Sequence, residues 1–482
     1  MIVLNLSSNQ LQGQLSTPLP SVMHLDLSRN NFNSVIPASI GSSIISANFL
    51  SLASNKFHGQ IPESICNAKS LQVLDLSHNS LSGTLPQCFS TLSRTLGVLN
   101  LRRNNLIGTI FDKFSKYCSL QTLNLNENLL EGVIPKSLAN CTNLEVFDIG
   151  NNQIHDAFPC HLKKISNLRL LVWRSNKFYG SIGCEGPNDT WPMLQIVDLA
   201  SNNFSGRLSI KALANSKTMM ADNKAYSELK YLHYIAGLDF PSYYQDTITV
   251  VSKGLHIELV KILTLFTSID LSCNNLDGPI PKDLGVLKAS YILNLSFNAF
   301  TDPIPPSLGK LSELESLDLS SNKLTDEIPM QLADGLTFLS VLNLSFNQLV
   351  GPIPFVKQFA TFLEASYEGN KGLCGSHLKA KCGSVEPHSP FPTFKDTHSS
   401  SRPLIDWKFL SAELGFAFGF GMVIMPLMFL KRWRIWYYKH VDEMFSGSFL
   451  NCTLGEKNTN KSEHIGIGCK GTNDCYEEQY NN

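Results

Sequence analysis

The pattern Leu-x-Leu-x-x-Asn, with another apolar residue for a leucine in four copies, returns thirteen times along the chain, and nothing else in the sequence constrains its fold as tightly. Its asparagines stand at Asn9, Asn30, Asn55, Asn79, Asn104, Asn128, Asn152, Asn176 and Asn202, and after a gap at Asn274, Asn298, Asn322 and Asn347. Within each block the step is 21 to 26 residues, most often 24. Such a period marks a stacked repeat, because one unit cannot bury its own apolar face and must lean on its neighbours.

One copy can be read physically. In Leu74-Asp-Leu76-Ser-His-Asn79 the alternating leucines describe a short strand with one buried face, since side chains alternate at period two. The asparagine stands where the chain leaves the strand, where its amide can pair turn backbone groups. Leu81-Ser-Gly83-Thr-Leu85-Pro86 then supplies a glycine for a tight turn and a proline that has no N–H to donate. Stacked at about 4.8 Å, the strands build a parallel sheet. The expected fold is an α/β-type solenoid, an arc with that sheet on its concave face. The residues between and beside the buried leucines form an extended, variable surface suited to recognising another macromolecule.

Composition agrees. Charged residues are 16% of the 482, below the roughly 25% of soluble domains. Net charge near −1 offers no field for nucleic acid. Met1-Ile-Val-Leu-Asn-Leu already reads as a repeat strand and has no basic or long apolar leader. The chain is therefore expected to be truncated at its start, short of a secretion signal and a first cap.

Cys66 and Cys88, Cys118 and Cys141, and Cys160 and Cys184 lie 22, 23 and 24 residues apart, one period each. Residues one period apart are neighbours on adjacent coils, so each pair is expected to form a disulfide in an oxidising compartment. Metal binding is the rival reading; there is no C-x-x-C and no histidine at ligand spacing beside them. Cys273 has no cysteine one period away. Sequons at Asn5, Asn140, Asn188, Asn203, Asn294 and Asn343 fit the same compartment as glycosylation sites.

Phe409–Leu430 is apolar apart from Ser411 and Glu413, and as a helix it is about 33 Å long, enough to span a bilayer. Lys431, Arg432, Arg434 and Lys439 follow it, which places the carboxyl terminus in the cytosol and the repeats outside. Gly415 and Gly419 form a G-x-x-x-G helix-packing face. Only 52 residues follow Leu430, far short of a kinase domain. Their Gly466-Ile-Gly468-Cys-Lys-Gly471 lacks the flanking strand and helix of a nucleotide loop. No G-x-S-x-G, H-E-x-x-H or Walker motif occurs. No enzyme and no cofactor or metal is expected.

Between Asn202 and Asn274 lie three periods, yet the pattern positions one and two periods on (Ala221, Asn223, Tyr226; Gln245, Thr247, Val250) do not fit. One normal repeat plus an insertion over Ser209–Thr264 is therefore expected. The insertion is rich in tyrosine and ends Thr249-Val-Val-Ser-Lys253-Gly-Leu255.

With its L-x-L-S-x-N-x-L-x-G-x-I-P repeat, this ending and four repeats after it, the chain resembles the plant leucine-rich-repeat receptor-like proteins, the kinase-lacking class that includes disease-resistance receptors. The resemblance implies a leucine-rich-repeat arc (1–208), an island (209–264), four further repeats (265–366) and a cysteine cap (367–383). A juxtamembrane linker (384–408), one transmembrane helix (409–430) and a cytoplasmic tail (431–482) complete it. In the cap, Glu368-Gly-Asn370-Lys-Gly372-Leu-Cys374 implies a disulfide between Cys374 and Cys382. The resemblance also implies a plasma-membrane, single-pass type I glycoprotein of plant defense and signal transduction. Its ligand would be an extracellular protein or peptide. Its signalling partners would be an adaptor receptor-like kinase and a co-receptor kinase. Tyr226, Tyr231, Tyr234, Tyr243, Tyr244 and Lys253 are the expected ligand contacts. A developmental peptide receptor, a polygalacturonase-inhibitor-like binding module and a non-functional truncated product stand as alternatives.

Overall fold

In the computed structural model, residues 3–15, 22–184, 191–210, 216–220, 231–236, 242–252, 255–376, 378 and 382 are described. Thirteen short parallel strands form one sheet, a strand per repeat. Nine precede the insertion: β1 Val3–Asn5, β2 His24–Asp26, β3 Phe49–Ser51, β4 Val73–Asp75, β5 Val98–Asn100, β6 Thr122–Asn124, β7 Val146–Asp148, β8 Leu170–Val172 and β9 Ile196–Asp198. The insertion contributes β10 His233–Ala236, β11 Ser242–Gln245, β12 Ile248–Ser252 and β13 Leu255–Leu259. β14 Ser268–Asp270, β15 Ile292–Asn294, β16 Ser316–Asp318 and β17 Val341–Asn343 complete the sheet. β9 pairs directly with β14, Val197 opposite Ile269, so the insertion leaves the sheet register unbroken.

The leucines of each Leu-x-Leu point inward. Leu74, Leu76, Leu99 and Leu101 are fully buried in a cluster that runs without interruption from Leu15 to Leu373. The repeat asparagine binds its own coil and the one before it. Asn104 Nδ2 donates to Leu76 O at 3.0 Å and to Leu101 O at 3.1 Å, while its Oδ1 accepts from Leu81 N at 3.0 Å. The residue before each asparagine has φ between 51° and 57°, whatever its side chain: Arg29, His78, Glu127, Phe297 and Phe346 among them. That left-handed kink costs each such residue roughly 1–2 kcal/mol. It turns two N–H groups toward the next coil, as where His78 N reaches Arg102 O at 2.8 Å and Asn79 N reaches Arg103 O at 3.1 Å.

The L-x-G-x-I-P stretches pair edge to edge in a five-stranded and a four-stranded flanking sheet. Gly83 has φ +77° there, and a Cβ would meet the Gln60 side chain at 2.8 Å, so the position takes no other residue cheaply. Opposite the main sheet, turns such as Glu63–Asn67 and Lys136–Asn140 follow the repeat prolines. Disulfides join Cys66 to Cys88, Cys118 to Cys141 and Cys160 to Cys184, each bridging adjacent coils.

After β17 the chain imitates one more repeat. Asn370 Nδ2 donates to Leu344 O and Tyr367 O, and its Oδ1 accepts from Leu349 N. Tyr367 fills the core position, Gly372–Cys374 extends the flank beside Val350–Pro352, and Cys374 is bonded to Cys382. The cap thus pairs Leu349 N and the carbonyls of Leu344 and Tyr367.

Part of the expected insertion packs on the array. Ser216 Oγ donates to Leu194 O, Ala289 N donates to Met219 O, and Met219 is fully buried in the main core. Residues 216–220 thus complete the coil that begins at β9, because that coil needs an apolar side chain there. Among the described residues no helix is long and apolar enough to cross a membrane. The expected span Phe409–Leu430, with Gly415 and Gly419, lies outside them, as do the linker and tail.

Candidate ligand-binding site: the island on the sheet

On the outer face of the sheet, the side chains between and beside the leucines should meet solvent. From β3 to β9 many are apolar instead: Phe49, Val73, Val98, Val146, Leu170, Val172 and Ile196. The island covers them. β10 and β11 form an antiparallel hairpin with Tyr234 opposite Tyr244 and Ile235 opposite Tyr243. Tyr234 packs with Phe49, Val73 and Val98, its ring lying over Gly97 so closely that a Cβ on that glycine would fall 2.2 Å from it. In the other repeats the corresponding position bears a side chain, such as Asn48, Gln72, Gln121 or Glu145. The second hairpin, β12 with β13, lays Ile248 and Val250 against Val146, Leu170, Val172 and Ile196, together with Leu232 and Ile262.

Polar contacts fix the seam. Tyr244 Oη donates to Asp75 Oδ2 at 3.1 Å and accepts from Asn100 Nδ2 at 2.7 Å. Thr122 Oγ1 donates to Asp246 Oδ1 at 2.8 Å. Arg102, buried on the sheet, reaches Glu258 at 3.0 Å, Thr249 Oγ1 at 2.7 Å and Glu127 at 3.3 Å. Gln195 Nε2 is bonded to Thr264 O where the island rejoins the array.

The face is acidic. Burial raises the carboxyls of Asp75 and Asp148, the latter to about 6 despite the hydrogen bond from Asn126. Arg174 pairs with Asp198 at 2.8 Å; burial would lower the guanidinium, but Asp198 and Asp270 hold it above its ordinary value. Burial, reinforced by Asp198, lifts Asp270 to about 6.

The expected ligand contacts divide. Tyr234 and Tyr244 face the sheet and anchor the island. Tyr243 and Tyr231 are exposed, with Ile235 and His233 beside them. The His233 and Tyr243 rings stack at 5.5 Å, Tyr243 Oη donates to Gln245 Oε1 at 2.5 Å, and Lys261 lies over the Tyr231 ring at 5.7 Å. Tyr226 and Lys253 lie outside the described residues. Of the sequons, Asn5 and Asn203 are exposed, and Asn140 and Asn343 are half-buried. Asn294 is buried, and its Oδ1 accepts from Ser296 N. Asn188 lies outside the described residues. Among the described residues no cluster could hold a metal ion.

Sequence reasoning missed Ile235, His233 and the apolar outer strip. The strip carried a signal: hydrophobic side chains at positions whose period points them away from the core.

Profiles of the leucine-rich repeat match residues 94–154, and again 21–43, 70–92, 266–287, 291–311 and 313–334. Receptor-like protein 35 of Arabidopsis thaliana is 40% identical over 284 residues, 58% of this chain and 26% of that protein. Receptor-like protein 48 of the same plant is 42% identical over 298 residues, 61% of this chain and 36% of that protein. Receptor-like protein 47, also from that plant, is 40% identical over 319 residues, 60% and 39% of the two. The chain spans between 26% and 39% of the length of these relatives. Among solved structures, the plant peptide hormone receptor RGFR1 in complex with RGF2 matches with TM-score 0.57 at 26% identity, over 77% of this chain and 55% of that one. PEPR1-AtPEP1 matches with TM-score 0.50 at 27% identity, over 77% and 52%.

Proposed function

Since this chain is a plant leucine-rich-repeat protein of the receptor-like kind, we propose that it binds an extracellular protein or peptide on the outward side of its island. The observation that carries this reading is the hairpin's division of labour. Tyr234 and Tyr244 clamp it to the array, so Tyr243, Ile235, His233 and Tyr231 are presented on a rigid support. Aromatic side chains held this way give contact area at little entropic cost. The similar ectodomains RGFR1, in complex with RGF2, and PEPR1-AtPEP1 support a peptide or small protein as the ligand class.

The chain acts as a binder, with catalysis left to partner kinases: an adaptor receptor-like kinase and a recruited co-receptor kinase. On this reading the apolar stretch Phe409–Leu430 anchors it in the plasma membrane with the repeats outside, and its G-x-x-x-G sequence at Gly415 and Gly419 serves contact with the adaptor. Innate immunity is the favoured setting, on the likeness to disease-resistance receptors. A developmental role has its own support, since one similar ectodomain belongs to a hormone receptor.

The test is retention of a fractionated extracellular peptide pool by the full-length chain in plant membranes. Tyr243→Ala and Ile235→Ala should each weaken retention by roughly tenfold or more, as truncation of an interface anchor does. Retention unchanged in both variants would remove the hairpin's outer side from recognition.

A further inference from the structure

We propose that the island is a cover whose grip on the sheet is set by one proton, carried by Asp246 when the island is seated. Asp246 lies between β11 and β12, is buried at the seam, and accepts a hydrogen bond from the neutral Thr122 hydroxyl. The groups that face it are mostly acidic or neutral. From β4 comes Asp75 and from the segment before β7 Glu145; the island's own contribution is the Tyr244 phenol, which Asn100 of β5 holds by a hydrogen bond. Among the described residues, two arginines of the sheet are held by other carboxylates: Arg102 by Glu258 and Glu127, and Arg169 by Glu145 at 3.0 Å. Seating the island with a charged Asp246 would bury a second carboxylate near Asp75, with no cation bonded to it among the described residues. A protonated Asp246 avoids that penalty.

The titration agrees in sign. Burial, against the Thr122 hydrogen bond and with Glu145 and Asp75 adding to it, raises the Asp246 carboxyl to about 7. A free island would return it to the ordinary carboxyl range. Docking is therefore strongest below that range and weakens as pH rises toward about 7, by up to about tenfold per pH unit. Asp75, raised by burial under Tyr244, titrates in the same sense. His24, stacked on Phe49 and lowered by burial, acts in the opposite sense at acid pH. The Tyr244 phenol is pushed further up and stays neutral.

Amide hydrogen exchange on the full chain reads the seam directly. Protection of residues 242–252, corrected for intrinsic exchange with β15–β17 as internal reference, should fall on the order of tenfold per unit between about pH 5 and about pH 7. Asp246→Asn, neutral at every pH, should keep most of its protection across the same interval. Gly97→Leu fills the seat of the Tyr234 ring and supplies the undocked reference, with low protection at both values and β15–β17 unchanged. Equal protection of the wild type at the two values, or an equal fall in Asp246→Asn, would overturn the proposal.

Discussion

An interior repeat asparagine such as Asn104 makes four hydrogen bonds, and the value of such a residue depends on where in the stack it stands. Three of them pair two carbonyls and one N–H that are all buried. Asn104→Ala leaves those groups without partners and opens a small void, so it should cost about 3 kcal/mol or more. Asn9, on the first described coil, donates among the described residues to Leu6 O and Ser7 O in an exposed setting, where water replaces it. Asn9→Ala should cost a few tenths of a kcal/mol. Paired urea titrations check the contrast; equal midpoint shifts would show that the asparagine ladder is not position-dependent. The same reasoning explains why the residue before each asparagine carries no sequence signature. Its left-handed backbone is imposed by the coil-to-coil hydrogen bonds, so arginine, histidine, glutamate and phenylalanine are all forced into it.

At the level of elements, the disulfides belong to the coils they bridge. The Cys118–Cys141 bond closes a loop of 23 residues, which in the chain-entropy account stabilises by about 3 kcal/mol. Replacing both cysteines with serine should lower the unfolding free energy by about that much, read from a denaturant midpoint against the oxidised parent. A loss below a few tenths would mean that stacking alone fixes these coils. This element was legible in the sequence because a period converts spacing into adjacency: once the step is 24, residues 22 to 24 apart are neighbours. The cap was legible through Asn370 and the two glycines around it. The island was legible only as an interruption. Periodicity tells which side chains point into the core, but not which distant segment returns to cover the other face. The clues were Gly97, the bare position in a column of side chains, and the run Val73, Val98, Val146, Leu170 and Ile196 where polar residues were due. Tyr234 and Tyr244 could not be told from Tyr231 and Tyr243 by type; only the alternation along the hairpin, fixed once its register is known, assigns them to opposite faces.

In the whole molecule, a stack of this kind has one structural weakness. Each coil touches only its two neighbours, so stability is a sum of local terms and opening can begin anywhere. The island changes that arithmetic. Its contacts run from Phe49 on β3 to Ile196 on β9, so one insertion ties together repeats that share no direct interface. Opening a coil in that stretch then also releases Tyr234, Tyr244, the Arg102–Glu258 pair or the Ile248 and Val250 contacts, and the penalty is felt along the whole stretch. Replacing residues 231–264 with a short Gly/Ser linker should therefore do more than lower the midpoint of unfolding. The transition should broaden, with a smaller dependence on denaturant, because the repeats from β3 to β9 no longer unfold as one unit. Trp173 and Trp191 are buried in coils near the end of that stretch and report on it locally, whereas far-ultraviolet circular dichroism reports on the whole sheet. In the parent the two signals should coincide; in the deletion they should separate. Coincident transitions of undiminished steepness in the deletion would mean that neighbour-to-neighbour stacking already supplies the cooperativity, and that the island contributes recognition without holding the array together.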